Sequence, residues 1–304
     1  MDTRLRALLT AQAQVCTTEM LRSIDIDAPE VAALLRQRTV KRLRRGLFVE
    51  AATWKEATPE QRLTLRTRAT LLDRPGSVAS HGSAAAVHGL PLWGVPTDVV
   101  DVLGAGGRTR TRGGVRLHPR PERLEPEVVA GLAVVPVATA IVQVVVEHGV
   151  VPGVVCLDRA LHERRVTREQ LESAAAVLQI GPRARSRMAR VVKAADPACE
   201  SVGETRTRVL LSDLGVAVRS QVVVRDDKGL IGRVDFLVGD RVVVEFDGIL
   251  KYGGADGRMA LRAEKVREDR LRAAGYVVVR LVWSDLDDPV RVLGLIQRAL
   301  RLAA

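Results

Sequence analysis

Three acidic residues interrupt two apolar stretches in the last third of the chain. Asp235 lies within residues 234–238, and Glu245 and Asp247 close the run that follows Arg241. Because strand side chains alternate between faces, Glu245 and Asp247 share one face of their strand. Carboxylates placed beside Val and Phe are costly unless a cation or a hydrogen-bonding partner compensates them. The pattern therefore predicts a site for a hard divalent cation, Mg²⁺ or Mn²⁺, which also binds phosphate oxygens.

The register between the two acid-bearing strands decides whether their carboxylates meet. A two-residue turn at Gly239-Asp240 would place Asp235 and Glu245 on opposite faces of the sheet. A loop with an odd number of residues centred on Asp240, or a bulge, places them on the same face. We predict the same-face geometry, because a shared metal site requires it. The alternative is that Glu245 and Asp247 form salt bridges with arginines of the following helix.

The surrounding segments predict a mixed sheet flanked by helices over residues 197–304. An amphipathic helix at 201–214 precedes a strand at 221–225 and the two acid-bearing strands. A charged helix at 258–274, an apolar strand at 276–283 and a helix from Pro289 follow. The predicted order of elements is α-β-β-β-α-β-α.

This order and its motifs resemble the PD-(D/E)xK nuclease superfamily, in particular the very-short-patch-repair-like endonucleases. The resemblance spans about residues 199–302 and includes the segment 264–276 and the strand through Arg280 and Trp283. It implies metal binding by Asp235, Glu245 and Asp247, and phosphate contacts by Arg262, Arg267 and Arg270. It also implies a set of catalytic residues: Glu204, Asp235, Glu245, Asp247 and Lys251.

One position departs from the superfamily pattern. Its lysine normally follows the acid by two residues, and here that place holds Asp247. Lys251, or Lys265 from the charged helix, would have to take the electrostatic role.

The first 55 residues predict a small helical unit that ends in a hairpin. Three short helices precede a β-hairpin around Gly46, an order typical of a winged helix-turn-helix. Basic residues concentrate at the third helix and the hairpin, where DNA phosphates would lie. They are Arg36, Arg38, Lys41, Arg42, Arg44 and Arg45. The alternative interpretation is a solvated basic surface.

Residues 56–196 predict a second α/β domain. Ser80-His-Gly-Ser-Ala-Ala-Ala-Val-His-Gly-Leu90, with the later segments 135–140 and 157–161, resembles the AbiEi-type antitoxins of type IV toxin–antitoxin systems. That resemblance implies an amino-terminal winged helix and a cognate toxin gene or protein as partner. His81 and His88 are two helical turns apart, so they share a face. With no third ligand in view, helix packing explains them better than a metal pair. Thr167 and Gln170 form a capping box that opens a further helix.

The composition of the chain indicates the kind of partner it binds and the compartment in which it works. Lys and Arg number 47 against 36 Asp and Glu, a net charge of +11 that favours nucleic acid, DNA above all, as partner. An Arg-rich composition from a GC-rich genome is the alternative. We expect no membrane span, because no apolar run reaches the length of one. Three scattered cysteines favour reduced thiols in a cytoplasmic protein. The sequence does not predict the oligomeric state.

The predicted fold class is therefore α/β multi-domain: a winged helix-turn-helix, a middle α/β domain and a carboxyl-terminal mixed-sheet PD-(D/E)xK nuclease-like domain. Two functions follow from different classes. The first is a metal-dependent endonuclease that hydrolyses phosphodiester bonds, linked to toxin–antitoxin systems or phage defence. The second is a non-catalytic transcriptional regulator or antitoxin with a nuclease-like scaffold.

Overall fold

The computed structural model describes residues 2–248 and 254–304, and it is a mixed α/β protein with three sheets, as the sequence predicts at that level. The chain divides into two compact units. The first comprises Met1–Cys156 and Arg165–Val192, and the second comprises Leu157–Arg164 and Lys193–Ala304. The finer division into three domains stays a prediction. Within the described ranges, no helix is both long and apolar enough to cross a bilayer.

The first unit begins with three helices around a small antiparallel sheet of order β1-β3-β2. These elements are α1 (Thr3–Ala11), β1 (Val15–Thr17), α2 (Thr18–Arg22), α3 (Ala28–Arg36), β2 (Val40–Arg44) and β3 (Leu47–Glu50). Asp27 and Glu30 form a capping box at the start of α3. Leu5, Leu21 and Phe48 are buried in its core. The sequence pattern missed β1, because three residues are too few to show alternation.

The rest of the first unit packs helices on a six-stranded mixed sheet of order β6-β7-β5-β4-β9-β8. Its helices are α4 (Ala51–Glu56), α5 (Pro59–Asp73), α6 (His81–Val87), α7 (Val137–His148), α8 (Val150–His162), α9 (Arg168–Val177) and α10 (Pro182–Ala194). Its strands are β4 (Val78–Ala79), β5 (Val100–Gly104), β6 (Arg110–Arg112), β7 (Val115–Pro119), β8 (Glu127–Val129) and β9 (Leu132–Val134). The predicted capping box of Thr167 and Gln170 is confirmed at the start of α9. Helix α8 continues past Cys156, so its last residues belong to the second unit.

The second unit has the predicted order of elements, α-β-β-β-α-β-α. They are α11 (Val202–Asp213), β10 (Val218–Asp226), β11 (Gly229–Val238), β12 (Val242–Phe246), α12 (Gly254–Ala273), β13 (Val277–Leu281) and α13 (Pro289–Ala303). The sheet order is β10-β11-β12-β13, and only its last pair, β12 and β13, is parallel. That pair is parallel because α12 provides the crossover connection between the two strands.

Alternate residues of the central strands enter different cores. Phe236 and Val244 pack with Leu211 of α11 and with residues of α13. Leu237 and Val243 pack with Leu271 of α12. Strand β12 is therefore covered on both faces, and polar side chains on it occur at its carboxyl end, where the apolar run stops.

Candidate functional site

The hairpin of β11 and β12 brings the two predicted acids opposite each other. Phe236 pairs with Val244, and Val238 pairs with Val242, so the connecting loop holds three residues centred on Asp240. Extending this register by one residue places Asp235 opposite Glu245. The predicted same-face geometry is thus confirmed. The Phe246 N–H donates to Asp235 Oδ2 over 2.8 Å, which fixes that carboxylate at the end of β12.

Glu204 reaches the same place from the first turn of α11. Ser201 caps this helix, its Oγ accepting from the Glu204 N–H at 3.1 Å. The buried Glu204 carboxylate accepts from Gln221 Nε2 at 2.7 Å and from the Glu200 N–H at 3.0 Å. A Cβ on Gly203 would lie 1.9 Å from Phe246 Cε1, so the helix start and β12 approach more closely than any other residue allows.

The carboxylates repel one another in this arrangement. Burial raises the pKa of Asp235 to about 6, the Phe246 N–H opposes the rise, and the charges of Glu204 and Glu245 add to it. The charge of Arg267 lowers the pKa to a smaller extent. Negative charge is thus in excess around Asp235, which is the condition that a bound cation would relieve.

Two arginines face Glu245 from neighbouring elements. Arg267 of α12 donates to Glu245 Oε1 at 2.6 Å and also contacts Glu264 at 3.2 Å. Arg280 of β13 is the register partner of Glu245, with its Nε 4.0 Å from Glu245 Oε2. The alternative prediction, that the acids form salt bridges with arginines, therefore holds for Glu245. It does not describe Asp235, nor does any described side chain pair with the Asp247 carboxylate.

The predicted phosphate-binding arginines of α12 differ in whether they already pair with a carboxylate. Arg267 is held by Glu245 and Glu264, as above. Arg270 pairs with both carboxylate oxygens of Asp226 at 2.6 and 3.0 Å. Arg262 is exposed. Arg267 and Arg270 therefore act first as ion-pair partners within the unit.

A cleft of about 590 Å³ collects these groups. Of the predicted catalytic set, Glu204, Asp235, Glu245 and Asp247 line it together. Lys251 lies outside the described residues. Further polar lining comes from residues that the sequence reasoning did not assign to the site: Ser201, Arg233 and Glu264. Arg233 precedes Asp235 by two positions, so strand alternation already placed it on the same face.

The donor types fit a hard divalent ion, and their present spacing is wider than a bound ion needs. Carboxylate oxygens and negative charge are what Mg²⁺ and Mn²⁺ require. In the described part of the chain, however, the ligand atoms that converge within 4.8 Å belong to His81, Asp101, His118 and Glu147 of the first unit, and the cleft acids form no such group. An ion in the cleft would therefore need these carboxylates to move closer together.

The basic residues predicted to bind DNA lie mostly on the surface. Five of them are exposed: Arg36, Arg38, Lys41, Arg42 and Arg45. Lys41 lies 5.4 Å from the ring centre of Trp54, and Arg42 lies 5.7 Å from that of Phe48. Arg44 is different, because its Nη2 lies 2.7 Å from Asp73 Oδ2. Its charge is already paired within the first unit.

Comparison with known proteins identifies no family to which this chain can be assigned. No protein-family model matches this chain, and no curated protein is similar enough to count as a match. The resemblances drawn from the sequence therefore depend on the residues and the geometry described above.

Proposed function

We propose that the second unit is a metal-dependent endonuclease that hydrolyses phosphodiester bonds in DNA. The observation that carries the proposal is the convergence of Glu204, Asp235, Glu245 and Asp247 on one open, arginine-bordered cleft. Acids from two paired strands and a helix meet there although the first and last are 43 positions apart in sequence (247 − 204). The order of elements and the mixed sheet support the resemblance to very-short-patch-repair-like PD-(D/E)xK endonucleases.

The cleft residues divide into three roles. Asp235 and Glu245 hold the ion, and Asp247 acts as a further ligand or orients the attacking water. Mg²⁺ or Mn²⁺, when bound, supplies charge neutralisation and a more acidic water. Arg233 and Arg280 border the cleft, where Arg233 pairs with Glu200 at 2.6 Å and Arg280 pairs with Glu264 at 2.5 Å. Each would have to exchange its carboxylate partner for a phosphate oxygen on DNA binding. Glu204 contributes negative charge to the cation site, and Gln221 holds its carboxylate in position.

The first 50 residues are proposed to bring DNA to the protein as a winged helix-turn-helix. Strand β1 lies between α1 and α2 and pairs with β3, and the β2–β3 hairpin, with Arg45-Gly46 at its turn, is the proposed wing. Helix α3 ends at Arg36 and precedes that hairpin. Four of the five exposed basic residues lie on these two elements, and Arg38 lies in the turn between them. These elements are the ones that contact DNA in this class of domain.

Cleavage of plasmid DNA tests the nuclease. Wild-type protein is incubated with supercoiled plasmid or single-stranded DNA and Mg²⁺ or Mn²⁺, beside the Asp235→Ala variant. Asp240→Ala is the matched control, because Asp240 lies on the same hairpin with a fully exposed side chain. We expect cleavage by wild type and Asp240→Ala, abolished by EDTA and by Asp235→Ala. Equal cleavage by all three proteins would mean that the activity is not at this cleft.

A second function is favoured by the Arg267–Glu245 ion pair and by Asp247 at the superfamily's lysine position. In this function the chain is a non-catalytic regulator or antitoxin, acting with a cognate toxin, and the nuclease-like unit is scaffold. DNA binding in a gel-shift experiment without cleavage under any divalent ion would establish it over the nuclease.

DNA binding by the basic surface is tested through its salt dependence. Replacing Arg42 and Arg45 with Ala should weaken binding and reduce the slope of log K against log[salt] by about 1 for each phosphate that the protein no longer neutralises. Arg44→Ala is the control, because Arg44 is engaged by Asp73 and its removal should change the slope little. A slope unchanged in the double variant would contradict the winged-helix proposal.

A further inference from the structure

The first unit contains a second group of metal-ligand side chains, unrelated to the acids of the cleft. His81, Asp101, His118 and Glu147 each offer one atom, and these atoms lie within 4.8 Å of one another. They come from four elements: the first residue of α6, strand β5, strand β7 and the last turn of α7. The group combines two imidazoles with two carboxylates, which are the side chains that bind transition-metal ions.

The two imidazoles are held firmly. His118 Nε2 lies 2.7 Å from Asp101 Oδ1, and the His81 ring stacks on His118 with 4.0 Å between ring centres. Ser80 Oγ lies 3.0 Å from His81 Nδ1, which leaves Nε2 as the nitrogen available to a ligand. His81 has a positive φ of 49°, and its N–H donates to Gln143 Oε1 over 2.8 Å. A strained backbone that presents one side chain toward a group of acids is typical of functional positions.

Carboxylates outnumber arginines around the group. Two carboxylates, Asp101 and Glu147, face one arginine, Arg116, which lies 3.7 Å from Asp101 and also pairs with Glu147. Glu147 also lies 3.9 Å from His148. Asp101 is buried, and a cation bound by these oxygens would offset the cost of burying its carboxylate.

We propose that His81, Asp101, His118 and Glu147 bind one divalent transition-metal ion, with Zn²⁺ as the ion that suits the donors. Two imidazole nitrogens and two carboxylate oxygens are the N/O ligands of four-coordinate zinc, and imidazole favours transition metals over Mg²⁺. Four protein ligands close the coordination shell, so the site is structural and ties α6 and α7 to the sheet. Ser80 and Arg116 are its outer partners.

A cavity provides access to this group. About 250 Å³ of space is lined by His81, His118 and Gln143 together with apolar residues. An ion can thus reach the site without unfolding of the unit. The signal in the sequence was weak, because the ligands are separated by 20, 17 and 29 positions (101 − 81, 118 − 101 and 147 − 118) and only the fold brings them together.

Metal titration of the full-length protein tests the proposal. EDTA-treated and dialysed protein is titrated with Co²⁺, whose visible absorption reports four-coordinate N/O ligation, and then with Zn²⁺ as competitor. With excess Mg²⁺ present to occupy the cleft acids, we expect one Co²⁺ per chain, displaced by Zn²⁺, and at least about 10-fold weaker binding in His81→Gln and His118→Gln. His162→Gln, which removes an imidazole whose Nδ1 lies 2.9 Å from Pro197 O and which is not part of the group, should bind as wild type does. Asp235→Asn should also bind normally, which separates this site from the proposed nuclease cleft.

Two further measurements keep the test decisive if a histidine variant folds poorly. Zn²⁺ should raise the melting temperature of wild-type protein by about 5 °C at saturating concentration. It should also slow hydrogen exchange in wild-type peptides that contain α6, β7 and α7. Absence of Co²⁺ absorption, binding that survives in both histidine variants, or no change in exchange at these segments would overturn the proposal.

Discussion

Two aspartates of the second unit, the buried Asp158 and the half-buried Asp235, show how the number of partners separates a structural acid from a candidate site acid. Asp158 accepts hydrogen bonds from Arg208 at 2.7 Å, from Thr205 at 2.8 Å and from the Asp196 N–H at 2.8 Å. Among the residues that the structure describes, Asp235 accepts a single N–H, from Phe246. Burial raises the pKa of both carboxyls. For Asp158 the cation and donors oppose that rise, whereas for Asp235 two more carboxylates add to it.

The difference teaches that burial alone does not mark a functional acid. A buried carboxylate with a full set of donors contributes to folding, and its removal leaves the donors unpaired. A half-buried carboxylate that faces other carboxylates destabilises the ligand-free protein, which makes it a candidate for binding a cation. The two aspartates should therefore respond to substitution with opposite signs.

The largest expected effect is at Asp158. Asp158→Ala should lower the free energy of unfolding by about 3–5 kcal/mol, because it leaves the Arg208 guanidinium buried without its carboxylate. Urea unfolding measures the change. Asp213→Ala, at an exposed position late in α11, is the control and should stay within about 0.5 kcal/mol of wild type. A destabilisation below about 1 kcal/mol at Asp158 would remove the contrast between the two aspartates.

The opposite sign is expected at Asp235. A carboxyl pKa raised from 3.8 to about 6 means that the folded state holds the proton more tightly than the unfolded state. Stability is therefore lost as pH rises through that window, and the cost, at most about 3 kcal/mol, is complete above it. Asp235→Asn keeps the acceptor for the Phe246 N–H and removes the charge, so in EDTA it should stabilise the protein near pH 7.

Urea unfolding near pH 7 and near pH 4 measures this effect. The gain from Asp235→Asn should be largest at the higher pH and nearly vanish at the lower, where the wild-type carboxyl is already protonated in the folded protein. Destabilisation by Asp235→Asn at neutral pH would place Asp235 in the same class as Asp158 and weaken the candidate site.

A smaller effect is expected from the packing that positions Glu204. Gly203→Ala should cost about 1–3 kcal/mol, since its Cβ would collide with the Phe246 ring and shift the end of β12. Gly294→Ala in α13 is the matched control. Nothing lies within 4 Å of its added Cβ, so it should stabilise by about 0.5–1 kcal/mol. Urea unfolding compares the two, and a neutral Gly203→Ala would show that the helix start is free to move.

Local pattern predicted most of the second unit. The order of its elements follows from residues near one another in sequence, as does the capping box at Thr167 in the first unit. The loop centred on Asp240 was expected because a shared metal site requires it, and the strand register confirms it. The pattern of neighbouring residues could not predict which side chains of separate elements form ion pairs. Arg267 was expected to contact DNA phosphates. It forms an ion pair with Glu245 instead, because the crossover connection places α12 over the strand that carries Glu245.

The histidines illustrate the same limit. Helical spacing related His81 to His88, and packing is indeed the role of His88, whose Nε2 lies 2.8 Å from Val135 O. The stacking partner of His81 is His118, on a strand whose position depends on the whole six-stranded sheet. No spacing rule within a single element relates those two residues.

Helix α8 has a consequence for dissecting the protein. Its residues from Leu157 onward belong with the second unit, and Asp158 there accepts from both Thr205 and Arg208. A fragment that starts at residue 197 would thus contain Arg208 without the Asp158 carboxylate with which it pairs. Expressing the nuclease-like unit as one continuous segment would omit Leu157–Arg164. A complete unit therefore has to include two separate stretches of the chain.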